Sequence, residues 1–379
     1  MPKDNQDYKA TDQIRTWSVN IPKNASEELI KTLNSNWINT GPKELEFRES
    51  IKKRFNAKYA VATNSGTSSL RAAYAALGIG QGDEVISTAY TWLATNTAIM
   101  EQGATPVFAD ICYDDLNIDP SDVERKITDK TKAIVCVHYA GNPVNLNELE
   151  EVAKNHNIPI IEDSAHAMGS EYKGASIGSS DNICCFSFQC VKIVTCGDGG
   201  AITCSSEEIY KNLKRRVWYG FDRERKVTDF LDPNIDEPDE LGFKMNMNDI
   251  TATLACVAMD ELDYALSERR KIGEQYIKAF KNHEYIELMN YKDDRKANFQ
   301  IFPIHVQNRT KFAKFMWEKG IQVNVNNRRN DIYKIFGGID NSLTNLAKAE
   351  EDVILLPLHL DLSEDDKNKI IDCVLSYKA

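Results

Sequence analysis

The sequence predicts an α/β protein: a three-layer α/β/α domain with a mostly parallel sheet, then a smaller C-terminal α/β domain. Three observations carry that expectation. From residue 20 to about 205, short apolar runs alternate with amphipathic helical patterns, the arrangement of a parallel sheet covered on both faces. A long helical pattern from about Asn248 to Phe280 then reads as a spine leading into a second domain. The chain has 379 residues, 42% hydrophobic and 27% charged, which suits two folded cores and leaves little room for disorder. The boundary is expected near residue 255, giving a large domain over 1–255 and a small one over 256–379.

Taken in order, the strand candidates of the first domain are Tyr59–Thr63, Glu84–Ser87, Thr105–Ala109, Ala133–His138, Pro159–Glu162, Ile183–Phe188 and Ala201–Cys204. Helical patterns fall at Ser68–Leu77, Thr91–Gln102, Asn145–His156 and Glu207–Trp218. Asp222–Glu240, rich in charge, Asp and Pro, reads as an exposed loop. The last hundred residues offer strands at Phe299–Val306 and Ile321–Val325 and helices at Thr310–Lys319 and Glu364–Tyr377, the mixture of a compact α/β lid.

Charge and composition exclude several functions. The 46 basic and 57 acidic residues give a net charge of −11, unsuited to duplex nucleic acid or an anionic membrane. The polar start has no signal-peptide core, and no uncharged apolar stretch approaches the roughly 18 residues a membrane span needs. A cytoplasmic location is the expectation. The nine cysteines form no Cys-x-x-Cys pair and do not alternate with histidine, so they read as reduced, buried thiols with no metal site.

Three motifs converge on one cofactor. Thr63–Ser69 (Thr-Asn-Ser-Gly-Thr-Ser-Ser) lies between a strand and a helix, where small residues and a helix N-terminus form a phosphate cradle from Gly66, Thr67 and Ser68. A plain strand–turn–helix with a Ser or Thr cap looks the same. Ile160–His166 (Ile-Ile-Glu-Asp-Ser-Ala-His) ends an apolar strand in two carboxylates at a sheet's carboxyl edge, where open α/β folds bind ligands. Buried Asp163 needs a cationic partner, which a protonated pyridine nitrogen supplies; the bland alternative is a helix N-cap. His166, three residues on, is within reach of a ring hydroxyl or is an ordinary polar residue. In Cys185–Gly200, Lys192 stands in a largely apolar run before Gly197, Gly199 and Gly200. A desolvated lysine becomes a neutral amine nucleophile.

On these residues the chain resembles the DegT/DnrJ/EryC1/StrS family of pyridoxal-phosphate sugar aminotransferases. Further matching segments are Thr40–Lys43, Ala76–Val85, Tyr90–Trp92, His138–Gly141, Gly242–Met247 and Leu356–His359. The resemblance implies an aspartate-aminotransferase-like fold and a cofactor, pyridoxal 5'-phosphate (PLP), held covalently by Lys192. It also implies that Asp163 meets the pyridine nitrogen, His166 the ring oxygen and Trp92 the ring face. Thr67, Ser68 and Ser187 would bind the phosphate, and Asn246 would reach the phosphate of a neighbouring subunit in a homodimer with shared sites. Lysine rather than histidine at 192 argues against the family's dehydratases.

The implied reaction moves an amino group from glutamate to a keto sugar, foremost a nucleotide-linked 4-keto-6-deoxyhexose for surface polysaccharide. Alternatives are a non-nucleotide keto sugar such as an octulosonate derivative, a small phosphorylated ketone, and a non-catalytic regulatory protein on the same fold. Two segments depart from commoner relatives, 216–223 and 323–331. They place Trp218 and Tyr219 near the substrate, and leave Arg328 or Arg329 either as a clamp for an anionic group or as a solvated basic turn.

Overall fold

The computed structural model describes residues 13–222, 238 and 240–379. Its strands are β1 (Tyr59–Thr63), β2 (Glu84–Thr88), β3 (Thr105–Ala109), β4 (Thr131–Val137), β5 (Ile160–Asp163), β6 (Glu171–Tyr172), β7 (Ala175–Ser176), β8 (Ile183–Ser187), β9 (Gly200–Cys204), β10 (Ile286–Leu288), β11 (Arg295–Lys296), β12 (Phe302–Val306) and β13 (Val353–Leu356). The main sheet has seven strands in the order β1-β9-β8-β5-β4-β2-β3. It is parallel throughout except for β9, which runs against both of its neighbours.

Burial follows strand alternation. Ala60, Ala62, Cys184, Phe186 and Ala201 pack on one face with Phe47, Phe55 and the helix Asp249–Asp260. Val61, Ile183, Cys185 and Ile202 pack on the other with Leu70, Tyr74 and Leu213. Two buried faces make the apolar runs continuous, and the result is the expected three-layer domain.

The expected 248–280 spine is two helices, Asp249–Asp260 and Leu262–Phe280, broken at Glu261. The first packs on the large-domain helices Ala25–Asn34 and Pro42–Phe55, which the patterning did not single out. The second leads to the antiparallel sheet β10-β12-β13, whose core is built on Tyr276, Phe280, Phe302, Ile304, Phe312, Met316 and Val374. Ile14 joins that core and bridges Ile321, so the start of the described chain packs on the C-terminal unit. A small sheet of β11-β6-β7 ties the two units together.

Two strand expectations change. The run from Phe299 is a strand only from Phe302: Phe299 adopts a left-handed φ of 53°, and Arg269 takes the Phe299 and Gln300 carbonyls. Ile321–Val325 forms single bridges to Ile14 and Leu355, not a ladder. The patterning also missed β10 and β13. Of the expected loop Asp222–Glu240, all but Asp222, Pro238 and Glu240 lies outside the described residues. All nine thiols are free. No helix among the described residues is long and apolar enough to cross a membrane.

Candidate active site

The motif residues meet in a cavity of about 510 Å³ whose lining includes Gly66, Thr67, Trp92, Asp163, His166, Ser187 and Lys192. A larger open groove, about 1350 Å³ around Tyr113, His283–Glu287 and Arg309, holds none of them. Position explains the convergence. β5 and β8 are parallel neighbours, so their carboxyl ends open on the same edge of the sheet.

Strand alternation gives the two carboxylates of β5 different environments. Glu162 turns away from the cavity, where His138 Nε2 lies 2.9 Å from it and Ser180 Oγ and Asn182 Nδ2 donate at 2.7 and 2.8 Å. Burial opposes its charge, but the His138, Asn182 and Ser180 bonds hold its carboxyl below the usual range. Asp163 faces the cavity. Its Oδ2 accepts from Thr95 Oγ1 at 2.6 Å and its Oδ1 from the Ala165 amide at 3.2 Å. No helix follows it, so the N-cap alternative falls away. Burial pushes the Asp163 carboxyl up, against those two bonds and the Lys192 charge.

Lys192 lies in the loop between β8 and β9. Burial pushes its amine down to about 8, opposed by the attraction of Asp163. His166 sits beside them; burial, with the Lys192 charge, holds its imidazole well below the usual value. Its Nδ1 is buried without a hydrogen-bond partner among the described residues.

The anion cradle is the start of the helix Gly66–Ala76. Ser65 caps it, accepting from the Ser68 amide at 3.1 Å. The first-turn amides of Gly66 and Thr67 have no acceptor within the helix. A Cβ at Gly66 would lie 2.7 Å from Ser187 Cβ, and one at Gly200 would lie 2.4 Å from the Ser65 carbonyl oxygen. Only glycine lets the helix, β8 and β9 close this tightly.

Several expected residues sit elsewhere. Ser68 is a correction: its hydroxyl donates to Asn64 Oδ1 at 2.6 Å, accepts from Ser65 Oγ at 3.0 Å, and does not line the cavity. Arg329 is another, because its guanidinium is buried against Asp331 at 2.6 and 2.5 Å and the Asp340 carbonyl at 3.0 Å, leaving no fork for a ligand. Arg328 is exposed and also outside the lining. Their segment contributes the neutral side chains Asn324, Val325, Asn326 and Asn327 instead. Asn330 pegs that segment to the large domain by donating to the Thr91 carbonyl at 2.8 Å.

Trp92 caps the helix Leu93–Met100 and is 66% exposed at the cavity. Asn246, Trp218 and Tyr219 lie on one ribbon outside their own chain's cavity, joined by the Tyr219-to-Phe243 and Met245-to-Val217 backbone bonds. There Asn246 Nδ2 donates to Thr40 Oγ1 at 2.6 Å, and the Lys244 ammonium sits 3.8 Å over the Trp218 ring.

Sequence reasoning missed Thr95, Gln300 and the three asparagines of 324–327. Thr95 has a legible signal. It follows Thr91 by four residues at a helix start, and the two hydroxyls are 2.9 Å apart.

These residues fit PLP. A partly neutral amine, a buried carboxylate with no salt bridge among the described residues, an orphaned ring nitrogen and an anion cradle face one space, and each matches a part of that cofactor. Comparison with known proteins agrees. The sequence model of the DegT/DnrJ/EryC1/StrS aminotransferase family matches residues 19–375. The UDP-4-amino-4-deoxy-L-arabinose–oxoglutarate aminotransferase of Shewanella sediminis is 33% identical over 362 residues, covering 90% of this chain and 92% of that protein. Among solved structures, AtS13 from Actinomadura melliaura superposes with a TM-score of 0.93 at 30% identity, covering 98% of this chain and 100% of the other. Spr1654 from Streptococcus pneumoniae in its PLP form gives 0.87 at 29%, covering 95% and 97%.

Fold and site together therefore define a PLP-dependent enzyme of fold type I. The chain belongs to the DegT/DnrJ/EryC1/StrS aminotransferase family and is a sugar aminotransferase.

Proposed function

We propose that this enzyme transfers an amino group from glutamate to a keto sugar carried on a nucleotide, foremost a 4-keto-6-deoxyhexose, for surface polysaccharide. The observation that carries the reading is the meeting of Lys192, Asp163 and His166 in one cavity beside the Gly66–Ser187 cradle. When bound, PLP supplies an aldehyde that captures amines and a ring that withdraws electrons from the neighbouring carbon. The residues do the rest. Lys192 holds the cofactor and moves the proton at its ε-nitrogen, for which a depressed amine is suited. Asp163, fixed by Thr95, would keep the pyridine nitrogen protonated. His166 Nδ1, which is buried without a partner among the described residues, would serve the ring oxygen, and Trp92 would cover the ring face. The Gly66 and Thr67 amides, with the Thr67 and Ser187 hydroxyls, bind the phosphate.

Substrate and donor follow from similarity and lining. The Shewanella relative is named for a UDP-linked amino sugar and oxoglutarate, the keto acid that glutamate leaves behind. Asn324, Asn326 and Asn327 offer amides suited to sugar hydroxyls. A homodimer with shared sites accounts for Asn246, Trp218 and Tyr219, whose ribbon would complete the cavity of the partner. Ile30, Leu33, Trp37 and Ile38 are 57%, 51%, 57% and 49% exposed, an apolar face that such a dimer would cover. The test is incubation of the PLP-loaded protein with glutamate and a panel of nucleotide-linked and free keto sugars. Oxoglutarate release coupled to an aminated nucleotide sugar is expected. Amination of free keto sugars alone contradicts the nucleotide assignment.

A further inference from the structure

Lys192 stands in a loop with no helix or strand to aim its side chain; the loop makes its own turn, with the Lys192 amide donating to the Gln189 carbonyl at 2.8 Å, and a second hold comes from the other domain. Gln300, 5% exposed, places one carboxamide across the two peptides that flank the lysine. Its Nε2 donates to the Val191 carbonyl at 2.8 Å, and its Oε1 accepts from the Ile193 amide at 3.2 Å.

Gln300 is itself held on both sides. Arg269, buried and among the described residues bonded only to backbone carbonyls, donates to the Gln300 backbone carbonyl at 2.6 Å and to those of Phe299 and Leu358 at 3.0 Å each. The Gln300 amide donates to Asn298 Oδ1 at 2.8 Å, while Asn298 Nδ2 donates to the His166 and Met168 carbonyls at 2.7 and 2.9 Å. Two residues of one short segment, Asn298 and Gln300, thus grip the turn that carries His166 and the Lys192 loop.

We propose that Gln300 is a positioning residue for Lys192, a strut from the C-terminal domain that sets where the ε-amine points. The inference rests on the reading that Lys192 holds the cofactor. The pairing needs a side chain with one donor and one acceptor on a rigid plane, and among side chains of this length only glutamine has both. Methionine fills the volume but leaves a buried N–H and C=O unpaired; glutamate sets an anion against the Val191 carbonyl. An amine that shuttles a proton between fixed atoms tolerates little displacement, so loss of the strut should cost about tenfold to a hundredfold in turnover.

The test uses the PLP-loaded wild type and the variants Gln300→Met and Gln300→Glu. In the wild type, hydrogen exchange should show the Ile193 amide protected although it lies outside any helix or strand. In the variants, that protection should fall and kcat should drop about tenfold or more, while KM for the amino donor stays within about threefold. The apoprotein gives a further reading, from reaction of Lys192 with acetic anhydride mapped by mass spectrometry. Its pH midpoint should move up towards that of an ordinary lysine as water enters, which a merely structural role would not do. Full kcat in a folded Gln300→Met variant overturns the proposal, as does an unprotected Ile193 amide in the wild type, a result that stands even if both variants fail to fold. Borohydride labelling of a lysine other than Lys192 instead overturns the cofactor reading and leaves the measured strut in place.

Discussion

At the scale of single residues, the site rests on groups held away from their ordinary protonation. Lys192 is pushed down to about 8, so a useful fraction of its amine is neutral near pH 8, whereas an ordinary lysine is almost wholly charged there. The rate at which apoprotein captures PLP, followed by absorbance, should rise through pH 7 to 9 and then level off; a rate still climbing above pH 10 contradicts the depressed amine. The sign for stability follows. The folded lysine gives up its proton more easily than the unfolded one, so burial disfavours the folded apoprotein below about pH 8. That penalty fades as pH rises towards 10.5. Replacing Asp163 by Asn should leave Lys192 able to bind PLP but lower turnover by about a hundredfold or more, read by steady-state kinetics. Lys192 and Asp163 were legible because a lysine in an apolar run and a carboxylate at a strand end are chemically anomalous in themselves. Arg329 was misread because a sequence shows the charge of an arginine but not that Asp331 already holds it. Ser68 was misread for a similar reason: only the fold turns its hydroxyl onto Asn64.

At the scale of elements, the decisive feature is the junction of the helix Gly66–Ala76 with the ends of β8 and β9. A methyl group at Gly66 would stand 2.7 Å from Ser187 Cβ. Gly66→Ala should therefore weaken PLP binding by forcing the helix N-terminus off β8, with far-ultraviolet circular dichroism unchanged. Unaltered PLP affinity, measured by titration of the apoprotein, would show that the cradle lies elsewhere. The strands of the main sheet were legible because burial on both faces makes them unbroken apolar runs. Boundaries set by side-chain capture were not. β12 starts late because Arg269 takes the carbonyls before it. β10 is short and at the sheet edge, which leaves almost no pattern to read.

At the scale of the molecule, the two units meet at the cleft, and the proposed dimer would complete that cleft with a second copy. Mixing subunits tests that arrangement. Lys192→Ala and Asn246→Ala homodimers should each be impaired, the first without activity. Hybrids formed by exchanging subunits should recover about a quarter of wild-type turnover, because half the dimers carry one intact composite site. No recovery after verified exchange would place Asn246 at its own chain's cavity or outside the reaction. The two-domain α/β plan was legible from the alternation of elements, but contacts between the units were not, since Gln300 and Asn330 are polar residues in segments with no periodicity. The most direct measurement remains reduction of the PLP-loaded enzyme with borohydride, followed by peptide mapping. The account predicts one pyridoxyl adduct per chain, on Lys192; an adduct on another lysine, or none, contradicts it.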